Sequence, residues 1–123
     1  MEKENRNYDL EERLIAFAVD ILNLAEQLPN TRAGNPISGQ IIRSGTAPAL
    51  LYGEAQSAES RKDFIHKMKI GLKELRETFI ALKIIKRKPL VKQFGKVDYL
   101  LNECDELISI FVKSVKTAQS HLK

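Results

Sequence analysis

The chain has no tryptophan, one cysteine and two histidines, with only 6 glycines and 4 prolines among 123 residues. Each shortage excludes something. Cys104 has no partner for an internal disulfide and no His or Cys at ligand spacing to help it hold a metal, which fits a reducing compartment. No glycine-rich loop follows a strand, so neither a Walker motif nor a dinucleotide fingerprint is present. The opening residues Met1 to Asp9 lack the apolar stretch of a signal peptide, and no run approaches the ~18 apolar residues that a membrane span needs. A cytoplasmic protein without a membrane partner is expected. No Glu is followed three residues later by His, the pairing that di-metal helical bundles use. His66 has no Ser, Cys or Asp set up with it as a nucleophile, and the only other histidine is His121. No catalytic residue, metal, cofactor or small-molecule substrate is therefore expected, and the chain is read as a non-enzyme.

What remains is 43% hydrophobic and 29% charged, the profile of a helix-rich globule of one domain spanning residues 1–123. Apolar residues recur at intervals of three and four, and no segment alternates with period two. The spacing predicts helices over about 9–28, 36–57, 61–86 and 90–119. In the first, Asp9 and Glu12 form a capping box ahead of Leu10, Leu14, Phe17, Ile21, Leu24 and Leu28. The second opens with Asn35 as N-cap and Pro36 at the first helical position, and its inner face is Ile37, Ile41, Ser44, Ala47 or Pro48, Leu51 and Ala55. Pro48 implies a kink or widening there, and Gly45 and Gly53 imply close approach of a neighbouring backbone. Ser60 caps the third helix, whose seam is Ile65, Met68, Leu72, Leu75, Phe79 and Leu82. The fourth starts at Pro89 and carries Leu90, Phe94, Val97, Leu101, Cys104, Ile108, Phe111 and Val115. Helices joined by short links stack antiparallel in chain order, and heptad seams of this kind pack in left-handed bundles. The fold class is an all-α, up-down-up-down, left-handed four-helix bundle.

Charge is unevenly spread. Residues 1–31 carry 3 basic and 7 acidic side chains, a net of −4, whereas residues 59–88 carry 10 basic and 4 acidic, a net of +6. Lys62, Lys69, Arg76 and Lys83 recur every seven residues beside Lys73, and the helix ends in Lys86, Arg87 and Lys88. Two readings follow. The stripe can contact the phosphates of RNA or DNA. Alternatively it flanks the seam and pairs with the acidic first helix of the same or a neighbouring subunit. Aromatic residues that would stack on bases are not interleaved with it, which argues against single-strand readout. A second polar set, Gln40, Arg43, Glu54, Glu74 and Glu77, lies among apolar residues and is read as a hydrogen-bonded network between helices two and three. Leu50, Tyr52, Ile70 and Ile84 fall off the seams, leaving apolar surface that favours a homo-oligomer.

The run from Arg43-Ser44-Gly45-Thr46 through Glu54-Ala55-Gln56, Ser60 to Met68, Leu72-Lys73-Glu74 and Glu77-Thr78 resembles the four-helix-bundle family of the 23S ribosomal RNA intervening-sequence proteins. Relatives usually place Ser-Ile or Ser-Val after the Gly-Thr, with an Asn four residues beyond the Ser. Here Ala47-Pro48 and Leu51 stand instead. The resemblance implies a left-handed bundle that in several relatives forms a ring, commonly a pentamer, with no established catalysis. A related branch serves as the basic accessory protein of diversity-generating retroelements, binding a reverse transcriptase and nucleic acid.

Overall fold

The computed structural model describes residues 2–92 and 94–122, with side chains from Asp9 onward. Four helices account for most of it: α1 (Glu2–Gln27), α2 (Gly34–Gln56), α3 (Arg61–Arg87) and α4 (Gly95–Ser120). Among the described residues there is no strand. Cross-helix pairs fix the directions. Along α1 and α4, Arg13 meets Glu103 while Asp20 meets Lys96. Along α2 and α3, Gln40 meets Glu77 while Glu54 meets Lys67. On α3 and α4, Leu75 meets Cys104 while Lys86 meets Asp98. In each pair one number rises as the other falls, so neighbouring helices run antiparallel. α2 packs on α1 and α3, α4 packs on α3 and α1, and the backbones of the diagonal pairs α1/α3 and α2/α4 stay apart, with Tyr52 of α2 and Phe111 of α4 meeting across the core.

The buried faces follow the apolar spacing. Leu14, Phe17, Ile21, Leu24 and Leu28 enter the core from α1, and Ile65, Met68, Leu75, Leu82 and Ile85 enter it from α3. In α4 the buried line is Val97, Leu100, Cys104, Leu107, Phe111, Val115 and Ala118, whereas Leu101 and Ile108 lie on its flank. In α2 it runs Ile41, Ser44, Pro48, Tyr52 and Ala55. Tyr52 is therefore core, only 4% exposed and tilted against Phe111 at 6.4 Å between centroids, and not the surface residue its spacing suggested. Leu51, assigned to the inner face, is half-buried.

Three helix ends differ from the reading of the sequence. α1 runs back to Glu2, so Asp9 lies within the helix and does not cap it. α2 begins at Gly34, with Ala33 at the N-cap in place of Asn35 and no side chain capping it, and Gly34 N–H donates to Thr31 Oγ1 at 3.0 Å. Asn35 instead donates from its side-chain amide to Asn30 Oδ1 at 2.8 Å. α4 begins at Gly95, well past Pro89. Leu90 N–H turns back to the Ile85 carbonyl at 2.9 Å, and Val91 is buried, so the chain is pinned to the end of α3 before the last helix starts. The Ser60 cap is present, its hydroxyl accepting from Asp63 N–H at 3.0 Å. α2 continues as one helix through the buried Pro48.

The two glycines of α2 behave differently. A Cβ on Gly45 would lie 2.7 Å from Ile21 Cγ2 and 2.9 Å from its Cγ1, so the missing side chain lets α1 and α2 approach. Around Gly53 a Cβ would meet nothing within 4 Å, contrary to the expected close contact. Gly45→Ala should cost about 1–3 kcal/mol by overpacking. Gly53→Ala, on an open helical face, should stabilise by roughly 0.5–1 kcal/mol. Urea denaturation of both variants checks this: equal effects at the two sites would contradict the packing described.

Candidate functional site

The outer face of α3 collects most of the basic residues. At 100° per residue, Lys62, Lys69, Lys73, Arg76, Lys83 and Arg87 fall within an arc of about 80° on the side opposite the core. Ile80 stands in the middle of this arc and is 55% exposed, with Ile84 exposed one turn further on. Among the described residues Lys62, Lys69, Lys73, Arg76, Arg87 and Lys88 make no ion pair. Lys83 Nζ lies 4.6 Å from the centroid of the Phe79 ring. Lys86 points elsewhere, bonding Asp98 of α4 at 2.6 Å. Among the described residues the acidic side chains of α1 make no ion pair with the stripe, because α1 and α3 stand at opposite corners of the bundle. Instead Asp20 of α1 pairs with Lys96 of α4. The same-subunit pairing offered by the sequence is thus corrected, since each helix pairs with its neighbour around the bundle.

Beside the stripe lies the polar seam of α2 and α3. Arg43 spreads its guanidinium over two carboxylates one turn apart, with Nη1 at 2.8 Å from Glu74 and Nη2 at 2.8 Å from Glu77. Gln40 donates to the same Glu77 oxygen at 3.2 Å. Arg43 holds Glu77 below the usual carboxylate range, first through this hydrogen bond. The seam is wetter than the sequence implied: the Glu74 side chain is 8% exposed, but that of Arg43 is 56% exposed. Glu54 does not join it. It sits three turns further along α2 and pairs with Lys67 at 2.8 Å, because the antiparallel register carries it toward the start of α3. Beneath the fork, Ser44 and Thr78 share a fully buried hydrogen bond of 2.9 Å, and Thr78 Oγ1 also lies 2.8 Å from the Glu74 carbonyl.

Between stripe and seam is a shallow depression of about 700 Å³. Its floor is Ile37, Leu72, Ile80, Ala81 and Ile84, and Lys69, Lys73 and Arg76 border it opposite Gln40 and Glu77. The sequence reading missed Ile80, which interrupts the cations at helical spacing, and the exposed stripe Ile15, Val19 and Leu22 on α1. Both were visible as apolar residues at helical spacing on the outer faces of helices whose inner faces already carry a repeat.

The remaining candidates are not brought together. His66 is exposed on α3, and His121 is exposed at the C-cap of α4. Cys104 is buried, with Sγ 3.2 Å from the Leu75 carbonyl, and burial pushes its thiol from 9.0 up to about 12. Among the described residues no group of three or more His, Cys, Asp or Glu side chains could hold a metal ion, and no helix is long and apolar enough to cross a membrane.

Antiparallel helices with a buried hydroxyl pair and an Arg fork at one seam define an all-α four-helix-bundle protein with exposed apolar and basic residues on its outer faces. The sequence profile of the 23S rRNA-intervening sequence protein family matches residues 6–113, and the chain belongs to that family. It is similar to a solved protein of unknown function from the S23 ribosomal protein family of Bacteroides thetaiotaomicron, with 32% identity, a TM-score of 0.80, and coverage of 89% of this chain and 97% of that one. No curated protein matches the chain.

Two outcomes follow from the buried groups. Thr78→Val should cost about 1–3 kcal/mol by orphaning the Ser44 hydroxyl, whereas Ser44→Ala with Thr78→Val should cost no more than Thr78→Val alone. Strictly additive losses in a double-mutant cycle would rule the coupling out. Cys104 should resist thiol reagents at neutral pH until the protein unfolds. Its folded-state pKa is raised, so its contribution to stability is whole below pH 9.0 and is lost as pH rises toward about 12. Rapid labelling of the native protein at pH 7.5 would contradict this placement.

Proposed function

We propose that the chain works as one four-helix unit in the cytoplasm, a non-enzymatic protein that self-associates and serves as an interaction or scaffold module. The observation that carries this is the apolar surface left on outer faces: Ile15, Val19 and Leu22 on α1, Leu50 at 67% exposure on α2, and Ile80 and Ile84 on α3. Side chains of this size at helical spacing are wet in a lone bundle, and association removes them from water at about 25 cal/mol per Å². A pentameric ring is the assembly the family resemblance favours. The non-enzymatic reading is supported by the engagement of Cys104, Ser44 and Thr78 in the core, where none reaches a base. Sedimentation should show a species larger than one chain of 14.0 kDa at micromolar concentration. A strict monomer there would overturn the reading.

A second reading, an accessory protein that binds RNA or DNA, is favoured by the unpaired cations of α3. If about six of them meet phosphates, log K should fall with log salt with a slope of roughly −5. Filter binding to structured RNA and duplex DNA tests this. Steep salt dependence abolished by Lys69→Glu with Arg76→Glu supports nucleic-acid contact, and no retention at low salt removes it.

A further inference from the structure

The exposed faces of α1 and α3 are complementary. On α1, Ile15, Val19 and Leu22 recur at spacings of 4 and 3 on the side away from the core, bordered by Glu11, Glu12 and Glu26, all exposed. On α3, the apolar floor of the depression is bordered by Lys69, Lys73 and Arg76. Glu77 also lies on that border, but Arg43 and Gln40 already engage it. Glu11 to Glu26 and Lys69 to Ile84 are both separations of 15 residues, about 22 Å of helix at 1.5 Å per residue. The two faces therefore agree in length, in apolar content and in opposite sign of charge.

From this we propose that the occupant of the α3 depression is α1 of a second copy of this chain. The inference rests on the self-association reading and names its interface. One copy cannot satisfy its own faces, since α1 and α3 stand at opposite corners and each presents its stripe away from the common core. The contact is heterologous. Each copy offers α1 to one neighbour and α3 to another, which yields a closed ring or a chain of copies but not a two-fold dimer. Opposed charges around an apolar centre set the register and speed encounter, while burial of the isoleucines, Val19 and Leu22 holds the contact.

Charge reversal on each face separately is the test, followed by sedimentation at low ionic strength with circular dichroism to verify folding. Glu11→Lys with Glu26→Lys, and Lys69→Glu with Lys73→Glu, should each weaken association by about tenfold or more. An equimolar mixture of the two variants should associate more strongly than either variant alone, because each contact between unlike variants again joins opposite charges: all contacts in an even-membered ring, and four of the five in a pentamer. Wild-type association that neither variant disturbs, or folded variants that do not recover on mixing, would overturn this interface while leaving self-association standing. A monomeric wild-type protein would remove both. If the wild-type particle carries nucleic acid by its absorbance at 260 nm and Lys69→Glu with Lys73→Glu sheds it without changing protein stoichiometry, the α3 face belongs to nucleic acid and the interface is wrong.

Discussion

The hydrogen bond between Ser44 and Thr78 sets the position of α2 against α3, and the outer surface depends on that position. Both hydroxyls are buried, and sliding either helix by one residue would separate them and leave each without its partner. Apolar seams alone tolerate such slips more readily than paired polar groups do. Once the hydroxyls meet, Arg43 is carried over Glu74 and Glu77, Gln40 reaches Glu77, and Ile37 falls beside Ile80, Ala81 and Ile84. The depression on α3 is thus a product of register, with its floor drawn from two helices.

Helix number, order and most of the core were legible because period and burial agree in α1 and α3. The failures have separate physical causes. Residues 2–8 contain no apolar repeat, so periodicity stopped at Asp9, yet extending an existing helix costs little per residue. Leu90 and Phe94 match the α4 seam by spacing, but Leu90 is tied back to Ile85 and Phe94 stands at the N-cap, so they close a turn. In α2 the steps from Ser44 to Leu51 and from Ser44 to Tyr52 are equally helical. The aromatic ring of Phe111 and the space beside it decide for Tyr52, and that is a tertiary fact.

The polar and charged residues were legible as a set but not in their partners. Glu54 shares its helix face with Arg43, and only the antiparallel register shows that it meets Lys67. The charge contrast between the first and third helices could be counted in the chain, but counting cannot say whether they adjoin. They occupy opposite corners, so α1 exchanges charge with α4, and the cations of α3 remain on the surface. Membership of the 23S rRNA-intervening sequence protein family rests on a match over residues 6–113, which takes in the seam between α2 and α3 that the residues already outlined.

Opposite corners of opposite charge also give the molecule a direction. Helix macrodipoles in an antiparallel bundle largely cancel along its length. The contrast between Glu11, Glu12 and Glu26 on α1 and Lys69, Lys73 and Arg76 on α3 does not cancel, since it runs across the bundle. These charges contribute an electric moment perpendicular to the helices. A charged polymer nearby therefore meets two unlike long sides on the one bundle.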